Sequence, residues 1–302
     1  MSDIIEEINR LKKEKDAIIL AHYYVEGDIQ EIADYVGDSY KLAQVAAENP
    51  AKVIVFAGVN FMGESAKILS PDKKVIMPDL KADCPMAHMV KPEDVQKVRE
   101  QYDDLAVVCY INSTAEIKTV SDICVTSSNA LRIVRALPNK NIFFIPDSNL
   151  GNYVKQMVPE KNFIVHDGYC HVHHGITKEQ VETSKAKHPD ALFLVHPECR
   201  MEILEMADYV GSTSGIINYA TDSDAKEFII GTENGVFYEL QKKNPNKKFY
   251  PVDKMACCTN MKKNTLEKLL DCLREEDGEV NVSDETRVKA TNALERMLEL
   301  AK

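Results

Sequence analysis

Short apolar runs alternate along this chain with segments in which apolar residues recur at helical spacing. Runs such as AIILA, VIVFA and KVIMP are brief and rich in β-branched residues, which is typical of strands buried on both faces of a parallel sheet. Segments such as YKLAQVAAE and NALRIVRAL lie between them and predict amphipathic helices. This alternation predicts an α/β fold in which helices cover both faces of parallel sheets.

The pattern occurs three times in one register. The segments DAIILAHYY, DLAVVCYIN and DALFLVHPE begin at Asp16, Asp104 and Asp190, which lie 88 and 86 residues apart. Further segments keep this spacing and align Asp34, Asp122 and Asp208, and another set with the same spacing starts at Lys73, Lys161 and Lys247 and ends in Cys84, Cys170 and Cys258. The general self-similarity of α/β proteins explains alternating strands and helices, but it does not explain aligned side chains.

The repeat predicts three homologous αβα three-layer domains whose parallel sheets surround a pseudo-threefold axis. The predicted domains are residues 1–85, 86–171 and 172–260, each of an ordinary domain size. Residues 261–302 predict two C-terminal helices that pack on the domains and are separated by a polar loop at residues 276–283.

A pair of polar residues with i, i+2 spacing ends the first strand of each copy. The pairs are His22 and Tyr24, Tyr110 and Asn112, and His196 and Glu198. In an extended chain this spacing points both side chains to one side, and ligands of open α/β sheets bind at the carboxyl ends of strands. A solvated strand end explains one such pair but poorly explains three. We therefore expect these six residues to line a binding site.

Each copy also carries a hydroxyl before a helix-like segment, at Ser39, Ser127 and Thr213. This position predicts that the three residues are helix N-caps. If the three helix starts converge, hydroxyls and N-terminal amides together form an anion site suited to several carboxylates or a phosphate.

The aligned cysteines predict a metal site. Cys84, Cys170 and Cys258 follow the first polar residue of their copies by 62, 60 and 62 residues, so a pseudo-threefold arrangement brings three thiolates near one point. Three protein ligands without a fourth indicate a metal site with an open position for substrate. The residues alone leave open a zinc site and a [4Fe–4S] cluster with one exposed iron.

The remaining cysteines and histidines carry weaker signals. Cys109 and Cys124 lie in apolar strand segments and are predicted to be structural, as is Cys272 in a C-terminal helix. Cys257 lies outside the register of the repeat, and Cys199 is ambiguous. His171 and His173 are predicted to be no more than pocket lining, because the other two copies have no counterpart to them.

Composition and charge exclude some partners. A formal net charge of −11 argues against nucleic acid and membrane surfaces, which require clustered Lys and Arg. The N-terminal segment is charged and lacks the apolar core of a signal peptide, so we expect a cytoplasmic protein with reduced cysteines.

The motifs AHYY, CPMA, YINSTAE, TSSNA, GYCHVHH, HPEC, ADYVGST and CTNMKKNTL resemble those of the quinolinate synthases over nearly the whole chain. The resemblance implies an enzyme of NAD biosynthesis that condenses iminosuccinate with dihydroxyacetone phosphate and releases quinolinate, phosphate and two waters. It also implies an L-aspartate oxidase or dehydrogenase as the metabolic partner that makes iminosuccinate.

The resemblance implies roles for individual residues. Cys84, Cys170 and Cys258 resemble the ligands of a [4Fe–4S] cluster whose open iron acts as a Lewis acid. Eight residues resemble the substrate-binding set of the family: His22, Ser39, Tyr110, Asn112, Ser127, His196, Glu198 and Thr213. Tyr24, Glu198, His22 and His196 are the implied acids and bases. The C-terminal CxxCxxC redox motif of some members is absent here.

Two other functions use the same residues. A Cys₃-zinc aldolase or hydrolase would place zinc on the three thiolates and would be colourless when purified. A non-catalytic iron or redox sensor would hold the cluster but would have no use for six polar residues at the strand ends.

Overall fold

The computed structural model describes residues 2–302 and contains three parallel sheets of four strands with one common topology. In each sheet the first strand of the copy lies second in spatial order, between the second and the third strands, and the fourth strand lies at the far edge. Helices flank every sheet, which confirms the predicted α/β fold of three αβα units.

The first sheet has the order β2-β1-β3-β4. Its strands are β1 Ala17–His22, β2 Tyr35–Gly37, β3 Val53–Ala57 and β4 Lys74–Ile76. The accompanying helices are α1 Ser2–Glu14, α2 Gly27–Ile32, α3 Ser39–Glu48 and α4 Asn60–Leu69, followed by a 3₁₀ turn at Pro85–His88. All five residues of β3 are buried, as the continuous apolar run predicts.

The second sheet has the order β6-β5-β7-β8. Its strands are β5 Leu105–Tyr110, β6 Ile123–Val125, β7 Asn141–Ile145 and β8 Asn162–Val165. Its helices are α5 Pro92–Arg99, α6 Ala115–Thr119, α7 Ala130–Ala136, α8 Ser148–Met157 and the short α9 His171–His174. Cys109 and Cys124 face each other across β5 and β6 and are fully buried, which confirms their structural prediction.

The third sheet has the order β10-β9-β11-β12. Its strands are β9 Leu192–Val195, β10 Tyr209–Val210, β11 Glu227–Gly231 and β12 Lys248–Pro251. Its helices are α10 Lys178–Lys187, α11 Met201–Leu204, α12 Thr213–Asp222 and α13 Val236–Lys243, and a 3₁₀ turn follows at Met261–Lys263.

The aspartates aligned by the repeat join the first two strands of each sheet. Asp34, Asp122 and Asp208 each accept a backbone N–H of the first strand at 2.7 Å, from Ile19, Val107 and Phe193. The backbone N–H of each aspartate returns to the carbonyl of the same partner residue. These aspartates therefore fix strand pairing at the amino-terminal edge and lie away from the strand ends where we expect chemistry.

Two C-terminal helices follow, α14 Leu266–Glu275 and α15 Asp284–Leu300, and the polar segment between them matches the predicted loop. Helix α14 packs on α1, while α15 packs on α4 of the first unit and on α6, α7 and β6 of the second. The exact domain boundaries stay a prediction. Within residues 2–302, no helix combines the length and apolar character needed to cross a membrane.

Candidate active site

All twelve residues predicted for the site line one cavity between the three units, at the carboxyl ends of the sheets. The predicted residues on its wall are His22, Tyr24, Ser39, Cys84, Tyr110, Asn112, Ser127, Cys170, His196, Glu198, Thr213 and Cys258. Their convergence follows from the shared topology, since equivalent positions of three units meet around one axis.

The two strand-end histidines are held in the same way. The Nδ1 atom of His22 accepts the backbone N–H of Tyr24 at 3.2 Å, and that of His196 accepts the N–H of Glu198 at 3.3 Å. An Nδ1 that accepts leaves the proton of the neutral ring on Nε2, and Nε2 of His196 lies 3.2 Å from Ser127 Oγ. Burial lowers the pKa of both His22 and His196 to about 3, so both rings are neutral donors.

The hydroxyl residues lie at the helix starts, but the prediction that they are N-caps is wrong. Asp38 caps α3 by accepting the N–H of Lys41, and Ser212 caps α12 by accepting that of Gly215. Ser39 and Thr213 are instead the first residues of these helices, where the side chain is not required for capping. Ser127 lies two residues before Asn129, the residue at the start of α7.

Each cysteine precedes a short helical turn whose amides turn back to its sulfur. Backbone N–H groups of Ala87 and Met86 donate to Cys84, and that of His173 donates to Cys170. Cys258 accepts from Met261 and Asn260 in the same way. Burial raises the pKa of all three thiols, that of Cys84 to about 12, so burial opposes the thiolate forms and a bound cation would favour them.

A chain of hydrogen bonds crosses the cavity wall through His173, whose importance we underestimated from the sequence. His173 Nδ1 lies 2.6 Å from Glu198 Oε2, and its Nε2 lies 2.8 Å from Thr232 Oγ1. Thr232 Oγ1 lies 2.8 Å from the hydroxyl of Tyr24, which lies 2.6 Å from Thr213 Oγ1. The only signal for His173 in the sequence was its place near Cys170, since the other two copies of the repeat have no counterpart to it.

The carboxyl of Glu198 is ionised in this arrangement. Burial alone would raise its pKa, but the imidazole of His173, by charge and by hydrogen bond, and then that of His196 lower the pKa to about 2. The contact between Glu198 and His173 joins two segments that the sequence does not relate.

Two buried acceptors of the wall have no partner among the described residues, Glu198 Oε1 and Asn112 Oδ1. An unpaired buried acceptor costs about 1–3 kcal/mol, so it is usually explained by a ligand or water. Both atoms belong to the strand-end pairs, and they are therefore suited to accept N–H or O–H groups of a bound molecule.

His173 lines the wall, as expected, and residues that we did not predict complete it. The structure adds Asp38, Val59, Phe61, Met62, Thr126, Val172, Glu233 and Met261. Cys257, Cys199 and His171 are not among the lining residues, and Cys199 is fully buried. Cys272 is buried in α14, as predicted.

A comparison with known protein families identifies the family of this chain. The model of the family described as Quinolinate synthetase A protein matches residues 6–299. The chain belongs to the quinolinate synthase family. This confirms the resemblance inferred from the motifs.

Relatives of this family match over nearly their full length. A protein of Caldicellulosiruptor bescii named Quinolinate synthase is 55% identical over 97% of this chain and 97% of its own. A Fusobacterium nucleatum protein of the same name is 54% identical over 98% and 99%. A Methanosarcina acetivorans protein named Quinolinate synthase 2 is 51% identical over 99% and 96%.

Proposed function

We propose that this protein is a quinolinate synthase of NAD biosynthesis, which condenses iminosuccinate with dihydroxyacetone phosphate to quinolinate, phosphate and two waters. The observation that carries the proposal is that the three register-matched cysteines line the same cavity as the strand-end polar residues. A ligand-binding metal and groups for proton transfer are therefore available to one bound molecule. Membership of the family supports the same activity.

The cysteines fit a [4Fe–4S] cluster. All three are free thiols, and each accepts one or two backbone N–H groups, as sulfur ligands of iron–sulfur clusters do. A single zinc ion binds sulfur at about 2.3 Å and so requires the sulfurs to lie within about 4 Å of one another. Among the described residues, the three cysteines do not form a set with ligand atoms within 4.8 Å of each other. The wider spacing suits a cluster better than one ion.

Cys84, Cys170 and Cys258 would hold the cluster, which supplies Lewis acidity at its fourth iron. The apolar wall formed by Val59, Phe61 and Met62 would exclude water. A dry site strengthens the interaction of charged substrate groups with the polar residues around them.

The three hydroxyls and the helix starts beside them would hold the anionic groups of the substrates. Ser39 and Thr213 begin helices of ten residues, whose first backbone N–H groups and positive dipole ends favour carboxylate and phosphate. The neutral Nε2–H groups of His22 and His196 add donors without adding a charge. Tyr110 and Asn112 complete the substrate-binding set from the second unit.

Proton transfers are assigned to the chain that joins Glu198, His173, Thr232 and Tyr24. Burial raises the pKa of Tyr24 well above its ordinary value, so its hydroxyl is a protonated donor in the resting site. The ionised Glu198 stands at the other end of the chain and can accept a proton. Condensation, tautomerisation and dehydration each need a proton moved, and this chain connects a donor to an acceptor.

A second function deserves a test because Cys170, His173 and Glu198 have ligand atoms within 4.8 Å of one another. A sulfur, nitrogen and oxygen set of this kind suits a single zinc ion with an open position, as in a hydrolase. Metal analysis separates the two functions, since a zinc enzyme carries one zinc and no sulfide.

The proposal is tested by an anaerobic assay of the reconstituted protein. Quinolinate should form only when both iminosuccinate and dihydroxyacetone phosphate are supplied, with one phosphate released for each quinolinate. Omitting either substrate is the control. Iron–sulfur protein that forms no quinolinate from both substrates would contradict the activity.

The reaction places the protein after an L-aspartate oxidase or dehydrogenase, because iminosuccinate must be made by oxidation of aspartate. We expect both proteins in the cytoplasm.

A further inference from the structure

Two fully buried carboxylates lie beside the cysteine loops, and the proposed chemistry uses neither of them. Asp147 follows β7 and Glu233 follows β11, and both side chains are buried completely. They occupy the same position of the repeat, seven residues after Lys140 and Lys226. Burial of a carboxylate is costly unless its oxygens are bound, so their hydrogen bonds indicate what they do.

Each carboxylate binds the backbone of a cysteine. Asp147 Oδ2 accepts the N–H of Cys170 at 3.1 Å, and Glu233 Oε1 accepts that of Cys258 at 3.0 Å. The second oxygen of each binds the start of the following helix, through the N–H of Leu150 in the first case and of Gly235 in the second. Each carboxylate thus joins a cysteine to a helix of its own unit.

The surrounding loops show that these bonds are equivalent. Val59, Asp147 and Glu233 follow the third strand of their units at the same position of the repeat. In all three units the backbone N–H of the next residue donates to the carbonyl of the residue two before the cysteine. These bonds run from Asn60 to Ala82, from Ser148 to Gly168 and from Asn234 to Ala256, at 2.8, 2.7 and 2.8 Å. The first unit has Val59 where the others have a carboxylate, and the N–H of Cys84 is bound by the adjacent Asp83 at 2.7 Å instead.

We infer that Asp147 and Glu233 are positioning residues for the iron–sulfur cluster, an inference that rests on the function proposed above. A carboxylate bound to the cysteine N–H fixes the main chain from which Sγ projects. Two of the three cysteine ligands are therefore preorganised before the cluster binds. Groups that orient metal ligands in this way typically change metal affinity by about 10–100-fold when they are removed.

The test measures how fast the cluster is lost from anaerobically reconstituted protein in excess chelator. Asp147→Leu and Glu233→Met remove the acceptor oxygens at similar volume, and each should lose iron about 10–100-fold faster than the unaltered protein. Asp147→Asn and Glu233→Gln keep one acceptor oxygen for the cysteine N–H but lose the bond to the helix start, so they should lose iron more slowly than the Leu and Met variants and faster than the unaltered protein. The two Asp147 variants are easier to interpret than the two Glu233 variants, because Glu233 Oε1 also lies 3.4 Å from Lys262 Nζ and its replacement would remove that contact too.

Asp208→Leu is the matched control. It removes a carboxylate that accepts the N–H of Phe193 at 2.7 Å, but at the opposite edge of the third sheet. It should lower thermal stability and leave the rate of cluster loss unchanged. Equal rates in unaltered protein and Asp147→Leu, or equal acceleration by Asp208→Leu, would overturn the inference.

Two further measurements keep the inference testable. If a variant does not fold, hydrogen exchange of the unaltered holoprotein replaces it: the amides of Cys170 and Cys258 should exchange slowly, and exchange at the rate of exposed loops would overturn the inference. Iron and sulfide analysis of the unaltered protein separates this inference from the proposed function. Protein that takes up no cluster contradicts the function, whereas variants that match a loaded parent contradict only the positioning role.

Discussion

At the scale of single residues, the cavity wall contains positions that all three units share and positions that one unit supplies alone. His22, Tyr110 and His196 were found because they occupy one position in three copies, and all three line the cavity. His173 has no equivalent in the other copies, so its contact with Glu198 depends on how two units pack. Tertiary contacts of this kind leave no periodic trace in a sequence.

Glu198 is the residue whose role can be tested most cleanly by substitution. Glu198→Gln keeps the shape of the side chain and removes the ionised acceptor next to His173. Turnover should fall by about 10²–10⁴-fold, the usual contribution of general acid–base catalysis, while iron and sulfide content stay unchanged. Glu202→Gln, at an exposed glutamate four residues away, is the control and should keep full activity. Turnover near normal in a loaded Glu198→Gln variant would show that this carboxylate transfers no proton.

The adjacent cysteines Cys257 and Cys258 form a matched pair. Only Cys258 lines the cavity and keeps the register of the repeat. Cys258→Ala should abolish cluster absorbance and activity, whereas Cys257→Ala should retain both. Visible spectra and sulfide analysis of the two variants decide the assignment, and the reverse result would exchange their roles.

Buried neutral histidines make stability depend on pH. His22 and His196 have a folded pKa of about 3 against an ordinary 6.5, so below pH 6.5 only the unfolded chain gains their protons. Stability is therefore full above pH 6.5 and falls as the pH drops towards 3, by about 2 kcal/mol for each histidine at pH 5. Urea unfolding of the metal-free chain at pH 7.5 and pH 5 measures this loss. His22→Asn should reduce it by one histidine's share, and an unchanged loss would contradict a buried neutral ring.

At the scale of elements, the strands were predictable and the helix starts were not. Continuous apolar runs identify strands such as β3 and β5, because both faces of the sheets are covered. The caps were misassigned by one residue at Ser39 and Thr213, since Asp38 and Ser212 are equally good capping residues. Local propensity cannot choose between two neighbouring polar residues. The error matters, because neither hydroxyl is used for capping: that of Ser39 is available to a ligand, and that of Thr213 contacts the hydroxyl of Tyr24.

Helix α15 joins the first two units and should carry a measurable share of their stability. The helix packs on α4 and α6, and its buried residues include Leu294, which is fully inaccessible. Leu294→Ala should lower the free energy of unfolding by about 2–5 kcal/mol through loss of burial and the cavity left behind. Val288→Ala removes apolar atoms from a position of the same helix that is 64% exposed, and it should change stability by less than about 0.5 kcal/mol. Urea denaturation compares the two, and equal effects would contradict the bridging role of α15.

At the scale of the whole molecule, threefold repetition builds the site. One unit alone supplies one thiol, one strand-end pair and one hydroxyl, and none of these sets can bind a cluster and two substrates. Packing three units around a cavity brings the sets together while each sheet keeps the same strand order. The arrangement was predictable because the copies retain register in sequence. The depth of burial, which sets the pKa of every titrating group in the cavity, was not.

The proposed function requires that Cys84, Cys170 and Cys258 together hold one cluster on which the reaction depends. Graded anaerobic reconstitution tests this requirement, with iron, sulfide and the rate of quinolinate formation measured on the same samples. A fully loaded chain should contain about four irons and four sulfides, and the rate should be proportional to the fraction of chains loaded. Quinolinate formation at the full rate by protein that holds zinc, or no metal, would contradict it.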